Sequence, residues 1–243
     1  MKLIKADQHR RLELPGVPGT VRRPVDIDKS KTGFANLRSL RIYCFDVDSV
    51  INGHAEEDEL LIVVMAGSVE LTMSEGSSVE NSRQYILSAV SEARSNLCAA
   101  YLPPHAAYKL VPQHEAVVAY ARATPAGGRS AAIFSSHLNL HHAEVVVLLE
   151  ESTYPQRLRI RVVQISALQN DIAITPIEES EDICEALVHV RMMPSERVAT
   201  IAGTDGVMIP LASWDTIAVT PGARPTLRVA MGSSALVLIV MAK

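Results

Sequence analysis

A chain of 243 residues with a formal net charge of -4 and 48% hydrophobic content can bury one large core or two of about 120 residues each. Lysines and arginines are spread along it with no basic stripe, so nucleic acid is not an expected partner. Apolar runs such as 235–242 fall short of the roughly 20 residues a spanning helix needs, and the N-terminal MKLIKADQHRRLELPG turns to charge before any secretory apolar core can form. Cys44, Cys98 and Cys184 stand far apart in apolar surroundings with no C-x-x-C pair, which suits a reducing compartment. The expectation is a cytoplasmic protein with no membrane partner.

In chain order, short Val-, Ile- and Leu-rich runs separated by Gly, Pro, Asn and Ser predict strands: LRIYCFDV (40–47), LLIVVMAG (60–67), AVVAYARA (116–123), EVVVLLEE (144–151), LRIRVVQI (158–165), ALVHVRMM (186–193) and ALVLIVMA (235–242). The alternation of RLRIRVVQ predicts a sheet with one wet face, whereas VVMAG and LVLIVMA do not alternate and predict strands covered on both sides. SVENSRQYILSAVSEAR (78–94) is the best helix candidate, with Leu87, Val90 and Ala93 at helical spacing; a strand pair joined by a polar turn is the alternative.

Self-similarity points to a duplicated unit. AYLPPHAAYKLVPQHEAVVAYARA, from Ala100, resembles the segment from Val207 when Pro104 is laid on Pro210, which sets Ala106 on Ala212, Tyr108 on Trp214 and Lys109 on Asp215. Upstream, HAEEDELLIVVMAG and EESEDICEALVHVRMM repeat an acidic loop followed by an apolar strand. The small residues of TPAGGRSAAIFSS suit a junction. The predicted organisation is an N-terminal unit over 1–125, a linker over 126–142 and a C-terminal unit over 143–243.

A loop bearing histidine or acids, an apolar strand, a glycine turn, and later a strand entered through Pro-x-small-x-aromatic together resemble the cupins. That resemblance implies an all-β fold of two tandem double-stranded β-helix (jelly-roll) barrels with few short helices. Its motifs are G-x5-H-x-H-x3,4-E-x6-G and P-x-G-x2-H, whose three histidines and one glutamate hold a divalent metal inside the barrel. GHAEEDELLIVVMAGSVEL with YLPPHAAYKL is most similar to the 5-deoxy-glucuronate and 5-keto-4-deoxyuronate isomerases, which act on sugar acids by moving a proton. Laid on the motifs, Asn52, His54, Glu59 and Lys109 take the ligand positions of the first unit, and Glu179, Glu181, Glu185 and Asp215 those of the second.

One histidine of that set remains, and a lysine among the ligands repels a dication. The expectation is therefore no bound cofactor, with Mn, Fe, Ni or Zn at His54 and Glu59 as the alternative. The run EESED reads as a solvated turn before it reads as a hard-cation site. His54, Glu59 and Lys109 are the candidate catalytic residues of an isomerase, Lys109 binding a substrate carboxylate or shuttling a proton, with Glu56, Tyr108 and His105 as candidate ligand-binding neighbours. The competing expectation is a non-catalytic bicupin that has lost its metal ligands and binds a small molecule or serves a structural role. His137, His141 and His142 read as loop or interface residues, His114 as a surface residue, His189 as a core residue, and Trp214 as the plug of the second barrel. A homodimer paired through an exposed LRIYCFDV strand completes the expectation.

Overall fold

The computed structural model describes residues 1–47, 49–74, 82–89, 95–127, 130–138, 144–149, 157–167, 172–177, 184–193, 195–203 and 206–243. The first strands are β1 Lys2–Ile4, β2 Arg11–Glu13 and β3 Thr20–Asp28, followed by the one-turn helix α1 Lys29–Thr32. Then come β4 Leu37–Phe45, β5 Ile51–His54, β6 Glu59–Met73, β7 Arg83–Ala89, β8 Ser95–Leu102, β9 Ala107–Pro112, β10 Ala116–Ala123 and β11 Ala132–Leu138. The second half holds β12 Glu144–Leu149, β13 Leu158–Ala167, β14 Ile172–Ile174, β15 Glu185–Met193, β16 Ala199–Ala202, β17 Met208–Leu211, β18 Thr216–Val219, β19 Thr226–Val229 and β20 Ser233–Ala242. The fold is all-β, as two cupin-type barrels predict.

Each barrel is a large sheet closed by a small one. In the first, the order β11-β8-β6-β10-β4-β3-β2 is closed by β5, β9, β7 and the far half of β6; in the second, β1-β18-β15-β20-β13-β12 faces β14-β19-β16-β17. β6 passes from one sheet to the other at Gly67, where φ is +77° and a Cβ would stand 2.1 Å from the Glu115 carbonyl oxygen, so only glycine fits. The segment 83–89, inside the helix candidate, is strand β7 paired along β6. Its Leu87 is buried while Ile86 is exposed, so period two wins over helical spacing. The predicted linker contains β11, which extends the first sheet beside β8, and β1 crosses to the second sheet beside β18.

Strand alternation sorts the core into three layers. Leu60, Ile62, Val64 and Leu71 fill the first barrel, Val163, Ile165, Val188 and Ile239 fill the second, and Leu40, Ile42, Leu61, Val63, Ile160, Val162, Leu187, Leu238 and Val240 form the seam where the two large sheets pack. This explains the non-alternating runs: β6 and β20 are covered on both faces. It also corrects the reading of RLRIRVVQ, because Arg159 and Arg161 are 7% and 4% exposed and the Arg161 Nη1 donates to the Pro176 carbonyl at 3.4 Å. That strand alternates between the seam and the interior side, and neither face is wet. LRIYCFDV is no exposed edge either: β4 is flanked by β3 and β10.

Two buried glutamates tie the barrels together reciprocally. Glu59, the first residue of β6, accepts backbone N–H bonds from Ala126 (2.9 Å), Arg157 (2.9 Å) and Leu158 (3.1 Å), where β13 of the second unit begins. Glu185, the first residue of β15, accepts from Ala35 (2.6 Å), Asn36 (2.8 Å) and Leu37 (2.7 Å), where β4 of the first unit begins. Truncating either carboxylate removes the acceptor of three backbone donors, one of them fully buried in each set. Glu59→Ala and Glu185→Ala should each lower the unfolding free energy by about 3–5 kcal/mol in urea titrations; a loss under about 1 kcal/mol would contradict the clamp.

His189 is fully buried, as expected, on the seam face of β15, with Nδ1 3.1 Å from the Thr216 Oγ1. Burial, helped by the Arg191 charge, pushes its pKa down to about 3. The folded value lies below the unfolded one, so its contribution is complete above about pH 6.5 and is lost as pH falls towards about 3. His189→Leu should flatten the decline of the unfolding free energy, read from urea titrations, over that window by up to about 1.4 kcal/mol per pH unit.

Candidate functional site

The small sheet of the first barrel presents a polar outer face. Register sets Asn52 beside Lys109 and Lys109 beside Thr72, with His54 and Ser74 in the next row on either side of Ala107. Asn52, His54, Thr72, Ser74 and Lys109, with Tyr108 at the floor, line a cavity of about 200 Å³. Gly53, between Asn52 and His54, faces the barrel interior, where a Cβ would meet the Tyr108 Cζ at 2.4 Å. An ammonium, an imidazole, an amide and a hydroxyl converge on this cavity, and its described lining holds no carboxylate. Such a set donates to an anion with hydroxyls; it lacks the acidic partner of an acid–base pair.

His54 and Lys109 are thus brought together, but Glu59 is not with them. Its carboxylate is fully buried in the seam, on the other side of β6 from the barrel, with both oxygens engaged by backbone donors. Glu56 lies outside the cavity, with φ of +58° and an ion pair to Arg122 at 3.5 Å. His105 also lies outside it, exposed on the connecting turn with φ of +66°. In the second unit Glu185 and Asp215 are likewise structural: the Asp215 carboxylate accepts from the backbone N–H of Ala6 (3.3 Å) and Ala212 (3.0 Å). Glu179, Glu181, His141 and His142 lie outside the described residues, as does the His137 side chain. Trp214 is no plug of the second barrel; it sits at the seam, with φ of +78° and the Arg191 guanidinium 4.7 Å from its ring centroid.

The strand geometry shows how the ligand positions slip by one residue. Counting E-x6-G back from Gly67 reaches Leu60, whose side chain points into the barrel, and the paired histidine positions then fall on Gly53 and Ala55. His105 takes the left-handed conformation of the glycine in P-x-G-x2-H, so the last position falls on Tyr108. The second unit repeats that turn at Gly222: Ala106 N–H donates to Pro103 and Ala223 N–H to Thr220. That turn follows β18, which lies beside β15 as β8 lies beside β6, so Pro104 corresponds to Pro221 rather than to Pro210.

In the interior of the first barrel Tyr108 is joined by Tyr43 and Tyr120, which sequence reasoning did not single out. Tyr43 stacks on Phe45 at 5.4 Å and meets Tyr120 edge-on at 5.5 Å, and Tyr108 lies 6.0 Å from Tyr120. Arg23 Nη1 donates to the Tyr43 hydroxyl at 3.1 Å. The alternation of AVVAYARA and LRIYCFDV carried the signal, since it sets Tyr120 and Tyr43 on the face opposite the seam residues. A divalent metal, which the cupin fold implies, does not fit here: Gly53, Ala55, Leu60 and Tyr108 offer one phenol as donor. Among the described residues no three His, Cys, Asp or Glu side chains come together as a metal site. Burial pushes the Tyr108 phenol up to about 12, against the pull of Arg122. Tyr108→Phe should leave the tyrosinate absorbance gained up to pH 10 unchanged in an ultraviolet titration.

No family model matches the chain, and no curated protein matches it. Solved structures do match along nearly its whole length. An IolB-like protein from Salmonella typhimurium LT2 is 15% identical over 99% of this chain and 92% of its own, with a TM-score of 0.69. The oxalate decarboxylase of Lactobacillus farciminis, in a formate complex, is 8% identical over 99% and 86% (TM-score 0.68), and the Escherichia coli protein Ylba is 12% identical over 98% and 89% (TM-score 0.64). These likenesses give the fold as that of the tandem-barrel cupins. No helix among the described residues is long and apolar enough to cross a membrane.

Proposed function

We propose that this protein is a binding bicupin whose ligand is a small sugar acid, taken up in the outer cavity of the first barrel and not in a metal centre at its axis. The observation that carries this reading is the one-residue slip: the interior positions are apolar or phenolic, while Asn52, His54, Thr72 and Lys109 face outward together. Lys109 supplies the point charge for a carboxylate, and Asn52, His54 and Thr72 supply donors and acceptors for hydroxyls. An isomerase would need a positioned base and an electrophile beside the substrate carbons, and the residue expected to complete that set, Glu59, is committed to the seam.

Calorimetric titration of the full chain with glucuronate tests this. Saturable binding that Lys109→Met weakens by about tenfold or more is expected, with His54→Ala weaker by a smaller factor. Stoichiometric Mn, Fe, Ni or Zn in protein purified without added metal, together with uronate isomerisation that needs His54, would replace this reading with the isomerase.

A further inference from the structure

The outer face of the second small sheet carries a cavity of its own. Its strand order β14-β19-β16-β17 parallels the order β5-β9-β6-β7 in the first barrel. In both sheets register sets a cation directly beside a threonine: Lys109 beside Thr72 in the first, Arg228 beside Thr200 in the second. Arg228 is exposed between buried Leu227 and Val229, and Thr200 stands between buried Ala199 and Ile201, so both side chains point away from the barrel interior. Together with Ala173, Val198, Met208 and Ala230 they line a cavity of about 420 Å³. The remaining wall differs in kind from that of the first cavity: aliphatic groups stand where Asn52, His54 and Ser74 line the other.

We propose that this cavity binds an aliphatic monocarboxylate, with the carboxylate on Arg228 and Thr200 and the chain along Val198 and Met208. Arg228 is the one charged group of the described lining. Among the described residues its side chain forms no ion pair or hydrogen bond, which leaves the planar guanidinium fork open to a carboxylate. The Thr200 hydroxyl adds a donor beside it. Val198 and Met208 are 47% and 60% exposed, and such water-facing apolar groups around a single cation complement a ligand with one negative charge and an apolar body. The described lining holds no aromatic ring to stack on a flat acid, and a polyol would leave the aliphatic wall without a partner. The two barrels thus carry parallel sites of opposite character, one for a hydroxylated anion and one for a greasy one.

Isothermal titration of the full chain with sodium octanoate, at constant ionic strength, reads this directly. Saturable binding of one octanoate per chain is expected, weakened about tenfold or more by Arg228→Gln and about threefold or more by Met208→Ser. Both side chains are exposed, so the variants should keep the urea midpoint of the parent chain. Butyrate, with less chain to bury, and 1-octanol, with no charge, should each bind at least about tenfold more weakly than octanoate. Lys109→Met should leave octanoate binding unchanged and glucuronate should not displace it, so the outcome is independent of the sugar-acid site. No saturation by about 10 mM octanoate, binding unchanged in the Arg228 variant, dependence on Lys109, or octanol bound as tightly as octanoate would each overturn the assignment. So would a dimer in sedimentation that Met208→Ser dissociates, since the face would then be covered by a second copy of the chain.

Discussion

The two barrels are tied by a pair of carboxylates that accept backbone N–H bonds from the opposite unit, two at Glu59 and three at Glu185. Glu59 receives the start of β13 and Glu185 the start of β4, and these strands occupy corresponding places in the two large sheets. Hydrogen bonds to an ionised acceptor in a dry setting are strong and demanding of geometry. The clamp therefore fixes the order in which seam residues face one another, from Leu61 and Val63 on one side to Leu187 and Val240 on the other. It also accounts for two glutamates that sit where a cupin motif leads one to look for metal ligands.

Much of the fold was legible in the residues because strand composition and turn chemistry are local properties. The apolar runs became strands, the doubly covered ones became β6 and β20, and the acidic-loop repeat correctly matched Glu59 with Glu185. The site was less legible for a reason of parity. Glu59 stands one residue further from Gly67 than E-x6-G allows, and in a strand a shift of one residue exchanges the inside for the outside. His54, Glu59 and Lys109 all look interior on the wrong count; on the right one Gly53, Leu60 and Tyr108 are. Only the left-handed turn at His105 and the forced glycine at 67 fix the count, and backbone conformation is not written in the letters.

The second repeat was misaligned for a related cause. The letters favour Pro210, while the strand order assigns Pro221, whose turn follows β18 as the turn of Pro104 follows β8. With that assignment Trp214 and Asp215 leave the interior of the barrel and become parts of the rim: one lies under Arg191, the other holds Ala6 and Ala212. The axis of the first barrel is packed with aliphatic and phenolic side chains, and Asn52, His54, Thr72 and Lys109 lie on its outer face.

β1 carries one more implication. Lys2, Leu3 and Ile4 pair with Ala218, Ile217 and Thr216, although the strands that follow them, from β2 onward, wrap the opposite barrel. During translation β1 must wait for β18 to leave the ribosome before it can pair, and the first barrel waits likewise for Arg157 and Leu158 to reach Glu59. Severing the polypeptide between the halves would deprive each of groups that the other supplies.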